Sequence, residues 1–281
     1  MKILQINAIY GYGSTGIIVE DIHKLCLENG ITSYVAYSNS NYTDQQIANG
    51  YKIGGVAEKK LHAVLYRING KQAYFSRAAT KKFLNYVENL KPDIVVLHNL
   101  HSNFINLNML LKFLSKRNIK TIMFLHDCWF YTGGCFHYTS VRCDKWQQDC
   151  GNCPKKHADT PAYFFDCSAK ILKQRKKHIG QIPQLSVIGV SEWITKEAEK
   201  SFLNCKKSTI YNGVDTDLFK FTASDFKKEY GLENKTVVLG PATKWLQPIN
   251  KQVLEEVVSG LPEDCVMAIL GCKGKQAEML P

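Results

Sequence analysis

Three glycines near the start of the chain have the spacing of a phosphate-binding turn. They follow the strand-like run at 2–8 in the pattern G-x-G-x-x-G: Gly11, Gly13 and Gly16. Such a turn lets the backbone approach a phosphate, and the helix after it offers unpaired N–H groups and a partial positive charge. Ser14 and Thr15 are predicted to cap that helix, which the apolar pattern places at 17–29. The turn is a candidate site for a phosphorylated ligand; its structural alternative is a tight turn that needs positive φ.

A nicotinamide cofactor is disfavoured by the residues after the turn. A dinucleotide-binding unit carries an acidic residue about 20 residues further on, at the end of its second strand, to bind the ribose hydroxyls. Here no Asp or Glu occurs between Glu28 and Asp44. The glycine pattern alone is a weak signal, so an NAD site remains only the less favoured alternative.

His126 and Asp127 are the candidate catalytic pair. They close the strand-like run at 120–127, and parallel sheets bind their ligands at the carboxyl ends of their strands. An imidazole there can donate a hydrogen bond or stabilise charge as a bond breaks. A structural histidine that closes the strand is the alternative. His98 and His101 follow the preceding strand and could face the same region.

Four of the ten cysteines lie within 19 residues and suggest a metal site. They form the pattern C-x7-C-x6-C-x2-C: Cys135, Cys143, Cys150 and Cys153. The two-residue spacing of the last pair suits one tetrahedral zinc, and four thiolates would leave no open position for catalysis. Such a zinc would hold together the loop at 128–157, which is predicted to have no core of its own. Reduced thiols, and disulfides or redox chemistry, are the alternatives.

The elements that must position these residues alternate between strands and helices. The strand-like runs are KILQINA (2–8), SYVAYS (33–38), DIVVLHN (93–99), KTIMFLHD (120–127), LSVIGVS (185–191) and KSTIYN (207–212), with KTVVLG (235–240) and CVMAILG (265–271) after them. This alternation predicts an α/β protein with a parallel sheet that is covered on both faces. A boundary near 212–220 is expected to separate a Rossmann-like domain at 1–215 from a second Rossmann-like unit at 216–281.

The chain is basic, with a net charge of 36 − 25 = +11. Such a charge favours polyanionic partners, but no nucleic-acid-binding motif can be identified, so nucleic acid is disfavoured. One basic stretch, at 58–72, combines helically spaced apolar residues with lysines and arginine, and could lie on an anionic membrane surface. An ordinary amphipathic helix with a solvated basic face is the alternative. No apolar run is long enough for a transmembrane helix or a signal peptide, so a cytoplasmic protein is expected.

Four stretches together resemble a known enzyme family. They are GYGSTG (11–16), FLHDCWFYTGGC (124–135), GVSEWITKEAEKSF (189–202) and IYNGVDTDLF (210–219). The chain resembles, along its whole length, the family 4 (group 1) glycosyltransferases of bacterial polysaccharide synthesis, and specifically the colanic-acid or capsule type with a TGGC…CGNCP cysteine loop. The resemblance implies the GT-B fold, two Rossmann-like domains that face each other across a cleft.

The resemblance also implies the chemistry. A retaining enzyme would move a sugar from a nucleoside diphosphate to a glycan or polyprenyl-linked acceptor, at the inner face of the plasma membrane. The glycine loop would lie near the donor phosphates, and His126 with Asp127 near the transferred sugar. Asn212 belongs to the NGVD motif at the domain junction.

Two features depart from the family pattern. Of the two basic residues that neutralise the leaving diphosphate, Lys244 matches the first, but the second position falls on Ile249, with Lys251 two residues later. The family's acidic E-x7-E region would lie beyond Pro281, which implies a truncated donor domain and doubtful activity in this chain. A non-catalytic remnant or binding module is therefore the main alternative, and an NAD-dependent oxidoreductase the weaker one.

Overall fold

A seven-stranded parallel sheet forms the centre of the first part of the chain. Its order is β5-β3-β1-β6-β7-β8-β9. The strands are β1 (Lys2–Ile6), β3 (Thr32–Tyr37), β5 (Gly50–Lys52), β6 (Ile94–Leu97), β7 (Lys120–Leu125), β8 (Leu185–Gly189) and β9 (Lys206–Thr209), and a separate short pair joins β2 (Ile9–Tyr10) to β4 (Asn39–Ser40). Most apolar side chains on the three central strands, β1, β6 and β7, are buried, as expected for a parallel sheet with helices on both faces.

Helices connect these strands. They are α1 (Gly13–Glu28), α2 (Val56–Asn69), α3 (Arg77–Leu90), α4 (Leu107–Lys116), α5 (Ser168–Ile179) and α6 (Glu192–Glu199). The core faces follow helical spacing: α3 buries Ala79, Phe83 and Val87, and α4 buries Leu107, Leu110, Leu111 and Leu114.

The computed structural model describes residues 1–158, 161–246, 250–272 and 274, and it divides into two compact units. The first unit runs from Met1 to Gly213, and the second begins at Val214. The second unit contains a parallel pair of strands, β10 (Thr236–Pro241) and β11 (Cys265–Leu270), with the helices α7 (Phe226–Glu229), α8 (Ala242–Trp245) and α9 (Lys251–Ser259). Ala242, Leu246 and Leu254 form its small core.

The direction of the chain connections changes next to β1. From β1 the chain passes to β3 on one side, and later returns to pair β6 on the other side. Such a point leaves a crevice at the carboxyl ends of the two adjacent strands, because their connecting segments leave in opposite directions. The sheet therefore offers its ligand position at the ends of β1 and β6.

Candidate functional site

Polar side chains gather at the crevice between β1 and β6. Gln5 and Asn7 come from the end of β1, His98 and Asn99 from the end of β6, and His126 follows the neighbouring strand β7. Gln5, Asn7 and His98 are fully buried. Burying a polar group costs free energy unless the group is hydrogen-bonded. The hydrogen bonds of these three side chains therefore show how each is oriented in the site.

Asn7 ties the glycine loop to the end of β6. Its Oδ1 accepts a hydrogen bond from the Asn99 N–H at 3.0 Å, and its Nδ2 donates to the Ile9 carbonyl at 2.7 Å. The same Nδ2 lies 3.5 Å from Thr15 Oγ1 in the first turn of α1. One buried amide thus fixes the position of the loop relative to the sheet edge.

His98 links Gln5 to His126 in a single hydrogen-bonded row. His98 Nε2 lies 3.1 Å from Gln5 Oε1, and His98 Nδ1 lies 3.0 Å from His126 Nε2. The Gln5 amide is oriented by its Nε2, which donates to the Val19 carbonyl at 3.3 Å. A flipped amide would place two acceptors together at Val19, so Gln5 presents an acceptor to His98.

This row determines the proton positions on both rings. His98 must donate from Nε2 to Gln5, and complete burial lowers its pKa well below the ordinary value, so the ring is neutral. Its Nδ1 is then an acceptor, and His126 must donate to it from Nε2. Burial also lowers the pKa of His126 to about 4, so at neutral pH its Nδ1 carries a lone pair. In the described part of the chain, that Nδ1 has no hydrogen-bond partner.

His126 is therefore arranged to accept a hydrogen bond from a ligand. The donor role that we expected from the sequence would need either the other tautomer or a protonated ring. The first would break the bond to His98, and burial disfavours the second. A ligand hydroxyl is the natural partner for this lone pair.

Asp127 is engaged by its own loop. Its Oδ1 accepts a hydrogen bond from the Trp129 N–H at 2.8 Å, which forms a tight turn after β7. Its Oδ2 lies 3.1 Å from His101 Nε2, although the angle there is not that of a hydrogen bond. The structure thus places Asp127 beside His126 and gives it contacts that hold the loop after β7.

The glycine loop differs from the expected capping arrangement. Helix α1 begins at Gly13 rather than at 17, its N-cap residue is Tyr12, and no side chain caps it. Ser14 and Thr15 lie inside the first turn, so the prediction that they cap the helix is wrong: the extended residue at the helix boundary is Tyr12, and both residues follow it. The uncapped first turn leaves its N–H groups open to an anion.

The glycines also have packing reasons. Gly11 has φ +76, and a Cβ built on it would lie 2.3 Å from Cε2 of Tyr42. A Cβ on Gly16 would lie 3.2 Å from Cγ1 of Ile9. The positive φ and the close approach of Tyr42 thus account for Gly11 without a ligand, whereas the uncapped helix turn remains unexplained by packing.

The remaining predicted donor residues lie outside this crevice. Asn212 is exposed and follows β9 at the end of the first unit. Lys244 and Lys251 belong to α8 and α9 in the second unit, and their side chains, like all of Ile249, lie outside what the structure describes. Their expected role therefore stays a prediction.

The aromatic residues of the cysteine loop are buried in the main core of the first unit, whereas the sequence predicted a loop without a core. Trp129, Tyr131, Tyr138 and Trp146 are buried, and the rings of Tyr131 and Tyr138 lie 5.1 Å and 4.8 Å from that of Trp146. Short 3₁₀ turns at 129–131, 138–141 and 145–147 carry these residues. The aromatic residues in CWFY and around Trp146 supply the apolar area that we expected the loop to lack.

Arg175 of α5 holds the first turn of this loop. Its guanidinium is fully buried, donates from Nη1 to the carbonyls of Trp129 and Thr132, and stacks 3.8 Å above the Trp129 ring. Burial lowers its pKa to about 10, so it remains protonated at neutral pH. Two loop carbonyls and one ring thus depend on a side chain from a later helix.

The four clustered cysteines share a cavity but do not form a metal site. Cys135, Cys143, Cys150 and Cys153 all line one opening that has about 640 Å³ of empty space, part of it solvent. Within the described ranges, however, no group of three or more His, Cys, Asp or Glu is arranged to hold a metal ion. Four sulfurs can line the same cavity without the tetrahedral arrangement that zinc requires. The zinc prediction is therefore not supported. No disulfide joins any of the ten cysteines, all of which are described.

Sequence reasoning missed Gln5 and Asn7, although a signal was present. Each is a polar residue within or directly after an otherwise apolar strand that buries both faces, and such a residue breaks the local pattern. His98 was identified as a neighbour of the site, but its place between Gln5 and His126 depends on pairings across 93 and 28 residues.

Comparison with known proteins supports the fold and a resemblance to one curated protein. No protein-family model matches the chain. It is 24% identical over 169 residues to a protein assigned to colanic acid biosynthesis, the glycosyl transferase WcaC of Escherichia coli K12; the match covers 55% of this chain and 40% of WcaC. The chain thus spans less than half the length of this curated relative.

Two solved structures share the fold. Sucrose-phosphate synthase from Thermosynechococcus elongatus superposes with a TM-score of 0.58 at 11% identity, covering 99% of this chain and 65% of that one. WaaG, a glycosyltransferase of lipopolysaccharide biosynthesis, superposes with a TM-score of 0.50 at 9% identity, covering 98% and 65%. The predicted fold class, that of the GT-B glycosyltransferases, is confirmed, as is the resemblance to bacterial polysaccharide glycosyltransferases.

Proposed function

We propose that the protein carrying this sequence transfers a sugar from a nucleoside-diphosphate donor to a glycan acceptor during the synthesis of a bacterial surface polysaccharide. The observation that carries this proposal is the crevice at β1 and β6. There an oriented imidazole acceptor, His126, accompanies an uncapped helix turn in a fold shared with glycosyltransferases. The similarity to a colanic acid transferase supports the polysaccharide class.

Each group has a defined task in this reaction. The free N–H groups at the start of α1, from Gly13 to Thr15, would bind donor phosphate oxygens. The lone pair on His126 Nδ1 would accept a hydrogen bond from a hydroxyl group of the sugar and so orient the sugar ring. Lys244 and Lys251 would neutralise the diphosphate as the bond from the anomeric carbon to the phosphate oxygen breaks. The acceptor oxygen forms the new bond, and its proton leaves with the diphosphate.

We further propose retention at the anomeric carbon and a lipid-linked acceptor, both on the family resemblance. An acceptor carried on a lipid would require the protein to work at a membrane surface. No helix in the described part of the chain is long and apolar enough to cross a membrane.

Sugar transfer tests the proposal directly. The protein would be incubated with UDP-, GDP- and ADP-sugars and a lipid-linked oligosaccharide, and nucleotide release and product would be measured. We expect turnover with one donor, and a loss of at least about 100-fold for His126→Ala, in the range of a lost transition-state contact. His137, which is exposed, gives the matched control His137→Ala. Proton NMR of the product would report the anomeric configuration.

Two outcomes would contradict the proposal. If His126→Ala transfers sugar at an unchanged rate, the crevice does not take part in the reaction. Stabilisation by NAD with no response to any nucleotide sugar would favour an oxidoreductase instead.

A further inference from the structure

Three consecutive aromatic side chains stand exposed on one loop of the first unit. Tyr163, Phe164 and Phe165 are 56%, 68% and 60% exposed. Single exposed apolar residues are common, but a contiguous aromatic group in water marks a contact surface. Phe165 also lines the cavity of the four cysteines, whereas Tyr163 and Phe164 belong neither to that cavity nor to the sugar-transfer site.

Hydrogen bonds hold this loop in place. The Tyr163 N–H donates to the Arg67 carbonyl at 2.8 Å, and Lys156 Nζ donates to the Phe164 carbonyl at 3.1 Å. The Asp166 carboxylate accepts the N–H groups of Cys153 at 2.7 Å and Ser168 at 2.9 Å. The backbone is thus fixed on both sides of the aromatic residues while their side chains remain in solvent.

Helix α2 continues the same surface. The loop docks at the end of this helix, where a Cβ on Gly70 would lie 2.7 Å from the Phe165 carbonyl oxygen. Leu61, Val64 and Ile68 are exposed on α2 at helical spacing, and so lie along one face. His62 and Tyr66 are buried on the opposite side. Tyr66 therefore does not belong to the exposed face of α2.

Basic residues accompany this apolar surface. Lys60 and Arg67 are exposed on α2, and Lys170 is exposed at the start of α5, close in sequence to the loop. Glu58 on α2 and Asp166 in the loop have backbone partners: Glu58 accepts the Ala79 N–H at 3.1 Å, and Asp166 accepts the Cys153 N–H. An apolar face with a basic margin matches an anionic bilayer, in which aromatic rings favour the interface and cations meet lipid phosphates.

We propose that the α2–aromatic surface, defined as Leu61, Val64, Ile68, Tyr163, Phe164 and Phe165, inserts shallowly into a bilayer that contains anionic lipid. The rings and aliphatic side chains enter the interface, and Lys60 and Arg67 contact the headgroups. The inference concerns the first unit alone and does not depend on the sugar-transfer reaction.

Vesicle flotation tests this surface. The probes are vesicles of phosphatidylcholine alone and of phosphatidylcholine with a quarter phosphatidylglycerol, at low and at moderate salt. We expect binding only to the anionic vesicles. The double variant Phe164→Ala/Phe165→Ala should weaken it at least tenfold, and Lys60→Gln/Arg67→Gln should weaken it with a reduced dependence on salt. Because all four side chains are exposed, the melting temperature should hardly change.

The control removes an exposed ring elsewhere in the chain. Phe221→Ala, in the second unit, should bind vesicles as the unmodified chain does. Absence of binding to anionic vesicles at low salt would overturn the proposal, as would equal binding by the double aromatic variant. A dimer in light scattering that the aromatic variant dissociates, without vesicle binding, would assign the surface to self-association. Since the assay contains no donor or acceptor, failure here leaves the transfer proposal standing, and failed transfer leaves this one standing.

Discussion

At the scale of single residues, the crevice is organised by a glutamine that no ligand need touch. Gln5 Oε1 requires a donor, which fixes the proton of His98 on Nε2 and leaves His126 to donate to Nδ1. Gln5 thus determines, through His98, which nitrogen of His126 donates a hydrogen bond and which accepts one. Gln5 and His98 are positioning residues, since they act through His126.

This arrangement predicts a definite state of the His126 ring. In nitrogen NMR of the histidine-labelled protein, His126 should be neutral with the proton on Nε2. Because burial lowers its pKa to about 4, it should show no titration near pH 6.5. In Gln5→Leu, His98 loses its acceptor, and the proton distribution on both rings should change.

The same spectra contain an internal control. His23 bonds Ser33 Oγ at 2.8 Å and the Ala48 carbonyl at 3.0 Å, so its signals should be unaffected by Gln5→Leu. A His126 ring that titrates near pH 6.5, or that carries its proton on Nδ1, would show that the proposed row is incorrect.

At the scale of elements, aromatic packing stabilises the cysteine loop. Trp146 is fully buried between the rings of Tyr131 and Tyr138. We expect Trp146→Ala to lower the free energy of unfolding by about 3–5 kcal/mol, the usual cost of removing a buried large aromatic side chain. A chelator should leave the unfolding transition of the unmodified protein unchanged.

Denaturant unfolding with and without EDTA measures both effects. Trp193→Ala is a suitable control, because that ring is about half exposed beside Tyr138 and should cost much less. Stoichiometric zinc in the purified protein, together with a large loss of stability in EDTA, would restore the zinc interpretation.

The range of an interaction along the chain decides whether the sequence predicts it. Apolar strand runs such as 93–99 and 120–127 predict the parallel sheet, since each carries its own pattern. Features that depend on distant partners are not predictable in this way: the Gln5–His98 contact spans 93 residues, and the His98–His126 contact spans 28. The exposed ring of Phe164 looks like core in sequence, because composition does not reveal which side of a loop faces solvent.

At the scale of the whole molecule, the first unit contains a complete core. Every buried residue of its main apolar cluster lies between Leu4 and Leu203, and the stretch from Tyr211 to Tyr230 is exposed throughout. We expect residues 1–213, produced alone, to unfold in a single cooperative transition, because none of that core is lost.

Circular dichroism and calorimetry of this fragment would check the expectation against the full chain. A broad transition without fixed near-ultraviolet signals would mean that the first unit needs residues after Gly213 to fold.

The long-range bonds of Arg175 also impose an order of events as the protein is made. The Trp129 carbonyl that this guanidinium holds is 46 residues earlier in the chain. At a ribosomal rate of about 5–20 residues per second, the turn after β7 waits on the order of a few seconds for the helix that completes it. During that interval the nascent chain exposes the CWFY segment, and a chaperone that recognises aromatic stretches would find its target there.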